Sequence, residues 1–279
     1  MDQNLQRTLK TRGRAAYARP ANVFAVMIAG LFIAFCLTGI IRRYSPIPFG
    51  DDWIGYYAFN LDIQRGDYAA WWQFWVEDRP LLPRLIYWID FRYFGAAFVF
   101  VLVTNILLLS TLCAVICAIA QERIKRDQVI VASCTIVVLG FAWMQGATLY
   151  HGFVGTQWYS VMLLSIAAFY ALHRSITRGP VWVLIALATE IAAPLTLANG
   201  LFVLPLLALM SALVGHQWRL TLLFSVLACI AFVLYFHGFL SQNASPVAAI
   251  FDHPVQFSLY IPTYLGAPRA QRRLYSPRT

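Results

Sequence analysis

Long runs of apolar residues without a charged side chain dominate this chain and limit what it can fold into. Residues 23–41, 95–120, 129–144, 158–172, 201–214 and 220–240 carry no Asp, Glu, Lys or Arg, and 181–193 carries only Glu190. A run of about 20 apolar residues crosses a bilayer as a helix, because only a helix pairs all of its own backbone groups away from water. With 279 residues, 60% hydrophobic and only 12% charged, the chain is too apolar for a soluble domain. The predicted class is all-α: a polytopic helical membrane protein of about seven transmembrane helices. The runs 181–193 and 201–214 are short for a full crossing. They read either as tilted spans or as a re-entrant pair around the Pro194-Leu195-Thr196-Leu197-Ala198-Asn199-Gly200 turn.

The net charge of +9 invites a nucleic-acid partner, but the basic residues sit mainly at the ends of apolar runs. That is the positive-inside pattern, and no nucleic acid is expected. Residues 1–22 form a basic N-terminus with Arg7, Lys10, Arg12, Arg14 and Arg19, predicted to be cytoplasmic, and the first span reads as a retained anchor. Residues 121–128, 173–179 and 215–219 are inner turns by the same rule. Residues 23–268 are the transmembrane domain. Residues 269–279 form a basic tail with Arg269, Arg272, Arg273 and Arg278, on the side that should be poor in basic charge. Two readings follow: a missing eighth helix, so that the chain is a piece with a truncated or altered terminus, or a span count off by one around 181–214. Nineteen of the 21 basic residues are arginine, which points to a bacterial source and so to the inner, cytoplasmic membrane. Cys36, Cys113, Cys117, Cys134 and Cys229 all fall in apolar runs and read as small buried side chains rather than disulfides or metal ligands.

The first outer loop, 42–94, holds seven of the twelve acidic residues, including the adjacent pair Asp51 and Asp52. Like charges raise each other's pKa and lipid offers no solvation, so such a pair beside a membrane suits proton transfer or cation binding. The plainer reading is a solvated loop in which Asp52 caps the helix begun at Trp53. Further on, the 67–75 stretch DYAAWWQFW is dense in amphipathic rings and reads as a helix at headgroup level. Glu77, Asp78 and Arg79 follow, and then Arg84. An arginine beside acids forms a charge-assisted pair or grips a phosphate through its planar fork, against the plainer role of interfacial anchoring.

Together these features resemble the GT-C-type membrane glycosyltransferases, which use sugars carried on a polyprenyl phosphate. The resemblance covers about residues 20–265. It rests on the acidic pair after the first span, the large first loop with surface helices, the Glu77-Asp78-Arg79 cluster, and the Ala198-Asn199-Gly200-Leu201 turn with Pro205 behind it. Members of that family are usually longer, which agrees with an N-terminal piece. The resemblance implies a polyprenyl-phosphate sugar donor drawn from the lipid bilayer, an extracytoplasmic acceptor of unknown identity, and inversion at the anomeric carbon. Asp51 or Asp52 would be the general base. Arg79 or Arg84 would stabilise the departing phosphate. Glu77, Asp78, His151 and Asn199 complete the candidate substrate-binding set. No cofactor is required; a divalent cation on the aspartate pair is compatible with carboxylate chemistry.

Two further readings stand beside the enzyme. A transporter or lipid-linked-glycan flippase would place polar groups inside several spans, where Glu190 is the main candidate. A non-catalytic membrane fragment would leave the loop charges idle. Asn199 also fits a simple turn with Gly200, and Asn105 reads as a helix-packing polar group.

Overall fold

The computed structural model describes residues 3–76, 78–215 and 218–237, with 254, 255, 258 and 259, and gives side chains from Pro20 onward. The chain divides into two units, Met1–Tyr235 and Phe236–Thr279; of the second only a few residues are described.

The described residues are helical and contain no strand beyond a single bridge between Trp75 and Asp78. The helices are α1 (Gln3–Arg43), α2 (Phe59–Gln64), α3 (Leu81–Tyr93), α4 (Val99–Gln121), α5 (Val129–Gly140), α6 (Gly146–Tyr150), α7 (Gly152–Arg178), α8 (Val181–Ala192), α9 (Val203–Leu213) and α10 (Trp218–Phe236). Five segments are long and apolar enough to cross a membrane: Pro20–Arg43, Val99–Gln121, Val129–Tyr150, Gly152–Arg178 and Trp218–Phe236. Their outward faces carry Phe24, Met27, Leu31, Leu107, Leu139, Val233 and other large apolar side chains, more than half exposed. In water such a surface would be untenable; against lipid it is the expected one. The protein is an all-α polytopic membrane protein.

α7 is the central element. It packs on α4 on one side and on α8 and α9 on another, while α1 covers α5. Small residues let α7 approach closely: Ala168 and Ala171 on α7 and Ala186 on α8 are fully or almost fully buried. Asn105 on α4 accepts from the Thr156 hydroxyl at 2.8 Å and donates to the Gly152 carbonyl at 3.3 Å, which is the helix-packing role read for it. At the far end, the Tyr170 hydroxyl donates to Glu122 at 2.6 Å and Arg174 pairs with the same carboxylate, tying α4 to α7.

Two segments differ from the sequence expectation. The link 145–157, uncharged except at His151 and so read as lying outside or dipping into the protein, is helix on both sides of a bend at His151, and α7 begins at Gly152. Polar Gln, Thr and Gly residues hid this helix. They are there because Gly152 lies against Phe98 and Val101, and Gly155 against Asn105 and the Thr148 carbonyl. The aromatic run 67–75, expected to be a surface helix, makes one 3-10 turn (Tyr68–Trp71) and is irregular beyond it apart from the bridge at Trp75. Asp67 caps that turn by accepting from the Ala69 N–H at 3.1 Å.

The helices of 181–213 are short, as expected. α8 continues through a 3-10 turn (Ala193–Leu195), and a second (Ala198–Phe202) leads into α9. Gly200 sits so close to the backbone of Ala193 and Pro194 that a Cβ there would fall inside van der Waals contact with main-chain atoms. The two arms therefore meet tightly at the apex.

Candidate functional site

Asp51 and Asp52 are adjacent in sequence but differ in setting. Asp51 is exposed, and its main-chain carbonyl accepts from the N–H groups of Ile54 and Gly55. Asp52 is 6% exposed. Its Oδ2 accepts from the Phe49 N–H and its Oδ1 from the Phe153 N–H, both at 3.3 Å. The second bond reaches the first turn of α7, where unpaired N–H groups favour a negative charge. Asp52 does not cap the turn that follows it. Burial raises its pKa, and the two backbone N–H groups and His151 pull it part of the way back.

The turn after Asp52, Trp53–Ala58, is wound as a π-helix. Such turns are rare and recur at working sites. Gly55 lies against the ring of Phe153, where a larger residue would collide. The Tyr56 hydroxyl donates to Asp90 at 2.6 Å from inside an aromatic cluster of Tyr56, Tyr87, Phe98 and Phe153. Burial and the Asp90 carboxyl drive the Tyr56 pKa far upward.

Asp52 lines an open cleft of about 330 Å³ together with Arg43, Ser45, Phe49, Phe98, Tyr150 and His151. A smaller hollow of about 210 Å³ adjoins it and brings in Asp51. His151 lies beside Phe49 (5.1 Å) and Tyr150 (4.7 Å), tilted against each ring, and the Arg43 guanidinium lies 5.9 Å from the Tyr150 ring centre. The cleft thus has a buried carboxyl, an imidazole and an exposed guanidinium on a partly apolar wall.

Arg79 and Arg84 lie elsewhere. Arg79 Nε donates to the Tyr235 carbonyl at 2.9 Å and Nη1 to the Trp72 carbonyl at 2.6 Å, with the guanidinium 3.8 Å from the Phe74 ring centre. Arg84 Nη1 donates to the carbonyls of Trp71 (3.1 Å) and Gln73 (2.7 Å). These bonds explain why the aromatic run is not a helix: its carbonyls face two arginines rather than the amides four residues on. Both arginines are buried, and desolvation pulls their pKa down, that of Arg84 to about 10.

Asp78 is buried, and its Oδ1 accepts from the Ala198 N–H at 2.7 Å, which joins the first loop to the apex of the 181–213 hairpin. Asn199, beside it, is exposed. Glu77 lies outside the described residues. Glu190 is fully buried against the Leu204 backbone, and among the described residues its carboxyl oxygens lack a hydrogen bond of ordinary geometry. An apolar hollow of about 290 Å³ lies between Trp72, the hairpin and α10.

The candidate residues therefore fall into two groups: Asp51, Asp52 and His151 around the cleft, and Asp78, Arg79, Arg84 and Asn199 around the loop–hairpin junction. Arg43 and Asp90 were missed in the sequence. Arg43 is indistinguishable there from any basic residue ending a span, and Asp90 sits in an amphipathic helix where a solvated acid is ordinary. Among the described residues, no three or more His, Cys, Asp or Glu side chains gather as a metal ligand set. No family model, curated protein or solved structure matches this chain.

Proposed function

We propose that this chain carries the sugar-transfer site of a GT-C-type glycosyltransferase, set in a bacterial cytoplasmic membrane with the N-terminus inside. The observation that carries the reading is Asp52: a buried carboxyl held by two backbone N–H groups, yet lining an open cleft with a histidine and an arginine. A base whose pKa is raised above the usual carboxylate range holds an abstracted proton better, which is what attack by a hydroxyl demands.

In this mechanism Asp52 takes the proton of an acceptor hydroxyl as its oxygen attacks the anomeric carbon. The bond from that carbon to the phosphate oxygen breaks, and polyprenyl phosphate leaves with the electron pair. One displacement inverts the configuration. Arg43 faces the growing charge on the phosphate, since Arg79 and Arg84 already donate to carbonyls of the aromatic loop. His151 borders the acceptor space and supplies a polar contact there. The lipid tail of the donor stays in the bilayer around the span faces.

The test uses the protein in vesicles containing a polyprenyl-phosphate hexose labelled in the sugar, with added cell-envelope acceptor material. Wild-type protein moves label out of the donor, and Asp52→Asn at equal expression does not. Equal transfer by both proteins would overturn the assignment. Glu190 favours a second reading, in which the chain moves a substrate or protons across the bilayer. That reading expects Glu190→Gln, rather than Asp52→Asn, to abolish function.

A further inference from the structure

Asp90 is the buried acid that the proposed reaction does not use. It is fully buried on α3, one turn from the helix end. Its Oδ2 accepts two bonds at once: from the Tyr56 hydroxyl at 2.6 Å and from the Phe98 N–H at 3.2 Å. One donor, Phe98, lines the Asp52 cleft, and the other, Tyr56, belongs to the turn that follows Asp52. Tyr56 sits in the π-turn that starts immediately after Asp52. Phe98 lines the cleft itself and precedes α4 in a left-handed conformation, φ 61°. Ala96, two residues earlier, is also left-handed at φ 57°. A bulky residue at positive φ persists only where its surroundings hold it. The surroundings here are specific. The Ala96 N–H donates to the Asp90 carbonyl at 3.3 Å, the Ala96 carbonyl accepts from Tyr57 at 3.1 Å, and the Ala97 carbonyl accepts from Tyr44 at 2.7 Å.

We propose that Asp90 is a positioning residue for the Asp52 cleft: through one oxygen it clamps the π-turn that follows Asp52 to the strained 95–98 loop carrying Phe98, and so sets how far Asp52 is withdrawn from water. The inference rests on Asp52 being the working carboxyl, but it concerns the seat of that carboxyl and can be read without any sugar. The clamp is a geometric device. Its acceptor is shared, so losing the Tyr56 donor frees the π-turn while the Phe98 bond stays. The remaining oxygen, Oδ1, has no hydrogen-bond partner among the described residues, so an amide nitrogen can replace it without breaking the clamp.

Titratable groups around Asp52 are Asp51, His151, Arg43, Tyr56, Tyr57 and Tyr87. The experiment is labelling of the protein in lipid vesicles with dicyclohexylcarbodiimide. This reagent adds to protonated carboxyls in apolar surroundings, and the Asp52 adduct is counted by mass spectrometry across pH. Tyr56→Phe releases the π-turn from Asp90, hydrates the adjoining Asp52 and favours its charged form, so labelling near neutral pH falls by about threefold, equivalent to a midpoint lowered by about half a pH unit. Asp90→Asn keeps the shared acceptor and retains the wild-type profile. Tyr159→Phe, which removes a buried hydroxyl without a hydrogen-bond partner among the described residues, does the same. An unmoved Asp52 profile in Tyr56→Phe overturns the proposal, as does a Tyr159→Phe shift of the same size. If wild-type protein transfers no sugar while the profile moves as expected, the functional reading fails and the clamp stands. If sugar is transferred through Asp52 and the profile stays put, the clamp fails alone.

Discussion

The Asp52 cleft and the loop–hairpin junction use the same residue types, acids, arginines and aromatic rings, in opposite ways. At the junction, Asp78 accepts from the Ala198 N–H, and Arg79 and Arg84 donate to the carbonyls of Trp71, Trp72, Gln73 and Tyr235. Charge there replaces regular secondary structure as the partner of main-chain groups. In the cleft, Asp52 is also tied to main chain, but one side of the group faces an open hollow with His151 and Arg43. A charge engaged by backbone on every side is a structural joint. A buried charge that still borders accessible space can meet a substrate.

The largest expected effect is on the cleft side of this comparison. Asp52→Asn lowers sugar transfer by about 10³-fold, the usual range for removing a general base, with thermal unfolding little changed. The pH–rate profile of the wild type then rises above the ordinary carboxylate range of about 4, because burial raises the Asp52 pKa. The same shift has a stability sign. A raised acid pKa in the folded state makes its contribution greatest below the unfolded value, and that contribution is lost as pH rises through the folded value. Asp52→Asn therefore gains stability relative to wild type as pH is raised over that window, which paired melting curves would reveal.

On the junction side the order of effects reverses. Arg79→Ala removes bonds to two carbonyls and the contact with Phe74, and lowers unfolding stability by about 3 kcal/mol as read by thermal melts in detergent. Transfer activity falls only in proportion to the folded fraction. An Arg79→Ala protein that folds normally yet fails to transfer would break the division between the two regions. Gly200→Ala forces the hairpin arms apart and costs about 2 kcal/mol, again as stability. The smallest effect separates the two aspartates. Asp51→Asn, at an exposed position, changes transfer by no more than about threefold. A loss as large as that of Asp52→Asn would mean the pair acts as a unit, as the sequence alone allows.

Span positions were legible because their cause is local. Hydrocarbon rejects charge and unpaired backbone, so an uncharged run announces itself. The short helices of 181–213 were legible for the same reason, since length against bilayer thickness is a property of sequence. The helical start of α7 was not, because Gly152, Gln157 and Thr156 look like loop residues until α4 is placed against them. Nor was the fate of the aromatic run, whose rings promise a surface helix while its carbonyls are claimed by Arg79 and Arg84 from 7 to 13 residues further along.

The sequence by itself determined that this chain is a helical membrane protein with one charged loop and an acidic pair beside its first span. Only the tertiary structure decided which aspartate is withdrawn from water, which arginine borders it, and that Asp90 accepts from both Tyr56 and Phe98. The reason is physical: hydrophobic transfer is a sum over neighbouring residues and can be read along a chain. The setting of a charge depends on which distant backbone groups fold against it, as Phe153 does for Asp52 across 101 positions.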